Sequence, residues 1–187
     1  MAYRGRHKER PPLDQERLNE LALTYVGRFA TSRSKLGAYL ERKVRERGWH
    51  QEGAPDIARV VERLAELGYV DDAAFALSKS QSLTARGYGS RRVEQSLRAA
   101  GIGEEDGQEA RDLAGSNAVE AALRFARRRR FGPYATEKKP DRAARERALA
   151  AMVRAGHDFA LCAAILAIEP GADVDNEMLA EKSCSLL

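Results

Sequence analysis

Apolar residues recur at three- and four-residue intervals in successive blocks of this chain, and most blocks close on a glycine. That spacing gathers the apolar side chains on one face of a helix, and a glycine ends a helix because it lacks the Cβ that disfavours the left-handed conformation. A first helix follows Asp14 as N-cap and carries Leu18, Leu21, Ala22, Tyr25 and Phe29 inward. Ser34 caps a second, with Leu36, Tyr39, Leu40 and Val44 inward and Arg42, Lys43, Arg45 and Arg47 outward, up to Gly48 and Trp49. Pro55 opens a third, with Ile57, Val60, Val61, Leu64 and Leu67 inward and Gly68 at its end. Asp71 then caps a fourth helix reaching about Thr84, and Val70 and Phe75 have the spacing of a hydrophobic staple.

The pattern returns twice more. Gly89 and Ser90 supply a turn and an N-cap for a fifth helix, lined by Val93, Leu97 and Ala100 and closed by Gly101 and Ile102. An acidic sixth helix runs from Gly103 to Ala114, weakened by Gly107. Asn117 with Glu120 has the form of a capping box for a seventh, bearing Val119, Ala122, Leu123 and Ala126. The eighth spans about Pro140 to Ala155 and ends at Gly156; the ninth starts at Asp158, turns Phe159, Cys162, Ala163 and Leu166 inward, and stops at Pro170 and Gly171. Gly48, Gly101 and Gly156 each close the middle helix of a triplet, at separations of 53 and 55 residues. This repeat predicts an all-α fold, an elongated tandem array of three three-helix, helix-turn-helix-like modules. The expected boundaries are a disordered basic arm at 1–12, modules at 13–70, 71–115 and 116–170, the third with a basic loop at 127–140, and a disordered acidic tail at 171–187.

Composition agrees with that class. Aromatic residues make up 6% of the chain against 32% charged, and the abundant Ala, Leu, Arg and Glu favour helices over a β-sandwich. The two cysteines, Cys162 and Cys184, lie at no metal-ligand spacing, and neither a disulfide framework nor a zinc site is expected. The start M-A-Y-R-G-R-H-K-E-R-P-P lacks the apolar core of a secretory signal, and the run from Phe159 to Ile168 is too short to cross a bilayer, so a cytoplasmic protein is expected.

Catalytic chemistry finds little support. His7, His50 and His157 sit in an arm, a loop and a helix junction, with no nucleophile or second ligand beside them. The glycines of R-G-Y-G-S (Arg86 to Ser90) echo a phosphate loop, but no strand precedes them and no Lys-Ser/Thr follows, so a tight interhelical turn is the better reading. Asp71 and Asp72 are explained as a helix cap and a first-turn acid without a cation. No catalytic residue, cofactor or metal is expected.

Charge changes the picture. The net charge is only +4, yet Arg124 to Arg154 holds eleven Arg or Lys and three acids. Within it, R-R-R-R-F-G-P-Y-A-T-E-K-K-P interleaves cations with Phe131 and Tyr134, a composition suited to phosphates or to an acidic protein groove. Exposed basic positions on all three modules make Arg42, Lys43, Arg45, Arg86, Arg91, Arg92, Arg127, Arg128, Arg129, Arg130, Lys138 and Lys139 the candidate contacts to a partner or to DNA. Ser90, Arg91 and Arg92 open a helix as a recognition helix does, but bare arginine charge meets backbone more readily than it selects sequence. An autonomous, largely nonspecific DNA-binding protein is therefore the alternative function.

Three stretches carry a family resemblance: L-A-E-L-G-Y-V-D-D-A-A-F-A (Leu64 to Ala76), R-G-Y-G-S-R-R-V-E-Q-S-L-R-A-A-G-I (Arg86 to Ile102) and S-R-S-K-L-G-A-Y-L-E-R-K-V-R-E-R-G (Ser32 to Gly48). In these the chain resembles the RecX family of bacterial recombination regulators, from which the third module departs by its inserted arginine-rich loop. The resemblance implies a regulator, not an enzyme, that binds the RecA recombinase filament on DNA. It would lower RecA's ATPase, strand exchange and filament growth, and so modulate recombination and the SOS response. A monomer is expected, with RecA as partner, weak direct contact to the DNA backbone, and no membrane.

Overall fold

The computed structural model of the protein describes residues 11–136 and 141–184, the side chains of 182–184 excepted. Regular structure among the described residues is helical, apart from one parallel bridge between Leu13 and Trp49. The chain divides into two compact units, Met1–Asp72 and Ala73–Leu187.

The first unit holds α1 (Gln15–Val26), α2 (Arg33–Arg47) and α3 (Ile57–Glu66). Their apolar stripes meet in one core of Leu18, Ala22, Leu36, Leu40, Val60, Val61 and Leu64, joined by Leu13 and Val70 from outside the helices. Leu13 is fully buried because its backbone is clamped: its N–H donates to Gly48 O at 2.9 Å and its carbonyl accepts from His50 N at 2.8 Å. Pro11 and Pro12 of the expected arm are held as well, since Pro11 O accepts from Arg47 Nη2 at 2.8 Å and Pro12 O from Arg17 Nη1 at 3.2 Å. Residues 1–10 of that arm lie outside the described residues.

The second unit holds α4 (Asp72–Ala85, whose first residue ends the first unit), α5 (Ser90–Arg98), α6 (Glu104–Ser116), α7 (Ala118–Arg129), a 3₁₀ turn (Gly132–Tyr134), α8 (Arg142–Arg154), α9 (Phe159–Ala167) and α10 (Asn176–Cys184). Two cores occupy it. One gathers Ala76, Val93, Leu97, Ala100, Ile102, Ala110 and Ala114; the other gathers Ala122, Phe125, Ala126, Met152, Leu161, Cys162, Ile165 and Leu179.

Several local expectations are corrected. The cap of α2 is Ser32, two residues before Ser34: its Oγ accepts from Lys35 N at 3.3 Å. Asp72 is the first-turn acid expected, and within the first unit, which it ends, it also lends Oδ1 to the N–H of Arg33 at 2.8 Å. Gly89, not Ser90, is the N-cap of α5, and the Ser90 hydroxyl donates to Ala114 O at 3.0 Å. Asn117 makes no capping box; its side-chain amide turns back to Leu113 O at 2.9 Å, while Glu120 pairs with Arg124. Phe29, Leu67 and Phe159 are all more than half exposed, each sitting at or beyond a helix end where the apolar stripe runs out. The expected tail carries α10, because Asp175 caps it through Glu177 N and Met178 N, and Leu179 is fully buried in the second core of this unit.

Candidate partner-binding surface

The corner between α4 and α5 is built by backbone contact. Gly87 takes φ 78° and Gly156, in the corner between α8 and α9, takes φ 94°. Gly89 N donates to Ala155 O at 3.0 Å and Arg91 N to Gly156 O at 3.1 Å, so the two corners lie chain against chain. A Cβ on Gly89 would stand 2.3 Å from Gly156 O, and one on Gly156 would stand 2.4 Å from Arg92 N. R-G-Y-G-S is thus an interhelical turn that also fastens α4 and α5 to α8 and α9.

His157 completes this corner. The ring is buried, edge-on to Phe125 with centroids 5.6 Å apart, and Nε2 lies 3.1 Å from Gly87 O. A carbonyl only accepts, so Nε2 carries the hydrogen and Nδ1, buried without a partner, is bare in the neutral ring. Burial pushes the His157 pKa below its ordinary value, against the opposing pull of the Gly87 carbonyl. A base whose folded pKa is depressed takes up more protons unfolded, so this contribution is complete above about pH 6.5 and is lost as pH falls from there toward the folded pKa. Melting temperature is expected to drop between about pH 7.5 and about pH 5, and His157→Gln, which keeps a donor for Gly87, is expected to flatten that drop. An unchanged slope in the variant would remove His157 as its source.

Basic side chains of α7 divide into two roles. Arg124 and Arg128, one turn apart, reach the open end of α4: Arg124 Nη1 donates to Ala85 O at 2.9 Å and Arg128 Nη1 to Arg86 O at 2.7 Å. These two cap a helix. Arg127 lies over the Tyr134 ring at 5.0 Å and Arg129 near Phe125 at 5.9 Å. Arg130 caps α7 at φ 57°, ψ 51°, the only non-glycine residue at positive φ among those described. All three are exposed, and among the described residues none has a carboxylate partner. Their charge is open to a partner.

The other candidates are more compensated. Arg42 and Lys43 share Glu46, at 3.9 and 2.5 Å, and both stand over Tyr39. Arg45 is exposed, with no such partner among the described residues. Arg91 faces Asp158 at 3.5 Å, Arg86 covers Tyr88 at 5.5 Å, and Arg92 is exposed at the first turn of α5. Lys138 and Lys139 lie outside the described residues.

One charged cluster escaped the sequence reading. Arg111 Nε donates to Glu94 Oε2 at 2.7 Å while Arg98 Nε donates to Oε1 at 2.6 Å, and Arg111 Nη1 reaches Glu104 O at 2.9 Å. The Arg111 hydrogen bond, helped by Arg98, holds Glu94 below the usual carboxylate range despite its burial. Gly107 leaves the space for this guanidinium: a Cβ there would stand 2.5 Å from Arg111 Nη1. Cys162 is equally structural, its thiol pushed up to about 12 by burial. Among the described residues no three His, Cys, Asp or Glu side chains are placed to hold a metal ion, and no helix is long and apolar enough to cross a membrane.

Residues 71–110, which contain the R-G-Y-G-S corner, match the model of the RecX second three-helix domain. Regulatory protein RecX of Myxococcus xanthus (strain DK1622) is 31% identical to this chain over 160 residues, covering 82% of it and 86% of that relative. The chain belongs to the RecX family. Regulatory protein RecX of Mycobacterium sp. (strain JLS) is 36% identical over 96 residues, half of each chain. The crystal structure of RecX from Lactobacillus salivarius matches with a TM-score of 0.57 at 16% identity, over 81% of this chain and 93% of its own. A second crystal structure, of regulatory protein RecX, also gives 0.57, at 20% identity over 81% and 70%. These two share the all-α fold of helical modules.

Proposed function

We propose that this protein binds the RecA recombinase filament on DNA in the cytoplasm and lowers its ATPase, strand exchange and filament growth, thereby modulating recombination and the SOS response. The observation that carries this reading is membership of the RecX family over most of the chain. The cations of Arg127, Arg129 and Arg130 support it, because uncompensated guanidinium groups on one helix end suit an anionic assembly. Three modules, 13–70, 71–115 and 116–170, would multiply weak contacts into a stable hold, since linked sites raise one another's effective concentration. Regulation of this kind needs no chemistry of its own, only a preference for one state of the filament.

The decisive experiment adds the purified full chain to RecA assembled on single-stranded DNA and follows ATP turnover. A fall in turnover at or below stoichiometric protein is expected; no change across that range would reject the proposal. Arg91 and Arg92, exposed at the start of α5, favour weak direct contact with DNA as a second reading. It predicts binding to DNA without RecA that weakens steeply with salt.

A further inference from the structure

A surface feature of the second unit begins at Arg130, the C-cap of α7, and runs along α8 and α9. Two cavities, of about 190 and 220 Å³, lie side by side along α8 and α9 and share Arg145 and Leu166 in their walls. The first has Phe131, Ala144, Ala148 and Leu166 as its apolar lining and Arg130 and Arg145 as its cations. Leu149 and Ala163 line the second, where Arg142 is already paired with Glu146 at 2.8 Å. Each cavity is near the size of the engineered void of about 150 Å³ that accommodates benzene, so each suits one apolar side chain.

Arg130 adds an independent observation. Left-handed backbone at a helix end is the place for glycine, yet the chain keeps a long cationic side chain there, and its guanidinium forms no ion pair or hydrogen bond within the described residues. Strain of this sort persists where the side chain serves something other than folding. We propose that the groove between α8 and α9 is a docking site for an acidic protein segment bearing apolar anchor residues, with Arg130 and Arg145 meeting its carboxylates. Charge complementarity selects the acid, and the apolar lining selects the anchors. A nucleic-acid backbone would meet Arg130 and Arg145 through its phosphates but leave the apolar lining unfilled, so a protein segment is favoured. This docking site stands or falls without RecA.

The test titrates the full chain into a short fluorescein-labelled peptide of Asp and Glu residues carrying two leucines, read by anisotropy. Parallel titrations use the same peptide with both leucines replaced by serine, and a labelled oligo-deoxythymidylate. The leucine peptide is expected to bind saturably and at least about tenfold more tightly than the serine peptide. Arg130→Gly is expected to weaken the leucine peptide by about tenfold while raising the melting temperature, two opposite movements that a merely structural arginine would not give. Equal binding of the two peptides, displacement of the leucine peptide by the oligonucleotide with equal ease, or unchanged affinity in Arg130→Gly would each overturn the proposal.

Discussion

Gly89→Ala is expected to destabilise the second unit by about 3 kcal/mol. The backbone of Gly89 has φ −84°, which alanine adopts freely, so the cost is steric. The added methyl would stand 2.3 Å from Gly156 O, 2.4 Å from Gly156 C and 2.6 Å from His157 N. All three are main-chain atoms, and none can rotate away as a flexible side chain would. Relief requires the α4–α5 corner to part from the α8–α9 corner, breaking the bonds from Gly89 N to Ala155 O and from Arg91 N to Gly156 O. Gly103→Ala is the control: its φ is −70°, nothing lies within 4 Å of the added Cβ, and a change within about 0.5 kcal/mol is expected. Urea unfolding followed by circular dichroism measures both. Equal midpoints for the two variants would show that the corners are not fastened as described.

The second large effect concerns partner binding. Replacing Arg127, Arg129 and Arg130 together by Glu is expected to raise the concentration needed for half-inhibition of RecA's ATPase by about a hundredfold. Thermal stability should move little, because exposed unpaired cations contribute little to folding. Arg128→Ala separates the two roles of the cluster. It removes the hydrogen bond to Arg86 O at the end of α4 and is expected to cost about 1 kcal/mol of stability with less than a threefold effect on inhibition. Equal loss of stability and inhibition in both variants would make the whole arginine run structural. Full inhibition by the triple variant would move the contact elsewhere on the chain.

Arg124 and the run Arg127 to Arg130 look alike in the sequence, and their separation into helix-capping and free groups shows where sequence reading stops. Their helical phase places Arg124 and Arg128 on one side and Arg127 on another, but only the position of α4 gives Arg124 and Arg128 carbonyls to reach. The same holds for Asp72, whose partner Arg33 is 39 positions away, and for Leu179, whose acidic surroundings hide an apolar anchor. Phe29, Leu67 and Phe159 fit the helical period and are nonetheless exposed, since periodicity assigns a face without saying where the facing helix ends.

The order of the helices, their apolar stripes and the glycines that end them follow from the sequence alone, because each depends on residues within a turn or two of one another. Gly48, Gly68, Gly101 and Gly156 all take positive φ where the apolar pattern stops. The family, too, is legible in the words around R-G-Y-G-S. Which cations are satisfied, why Gly89 tolerates no side chain, and where α8 and α9 leave a groove were decided by tertiary structure. Each is a meeting of segments tens of residues apart, and such meetings leave no period in the chain to read.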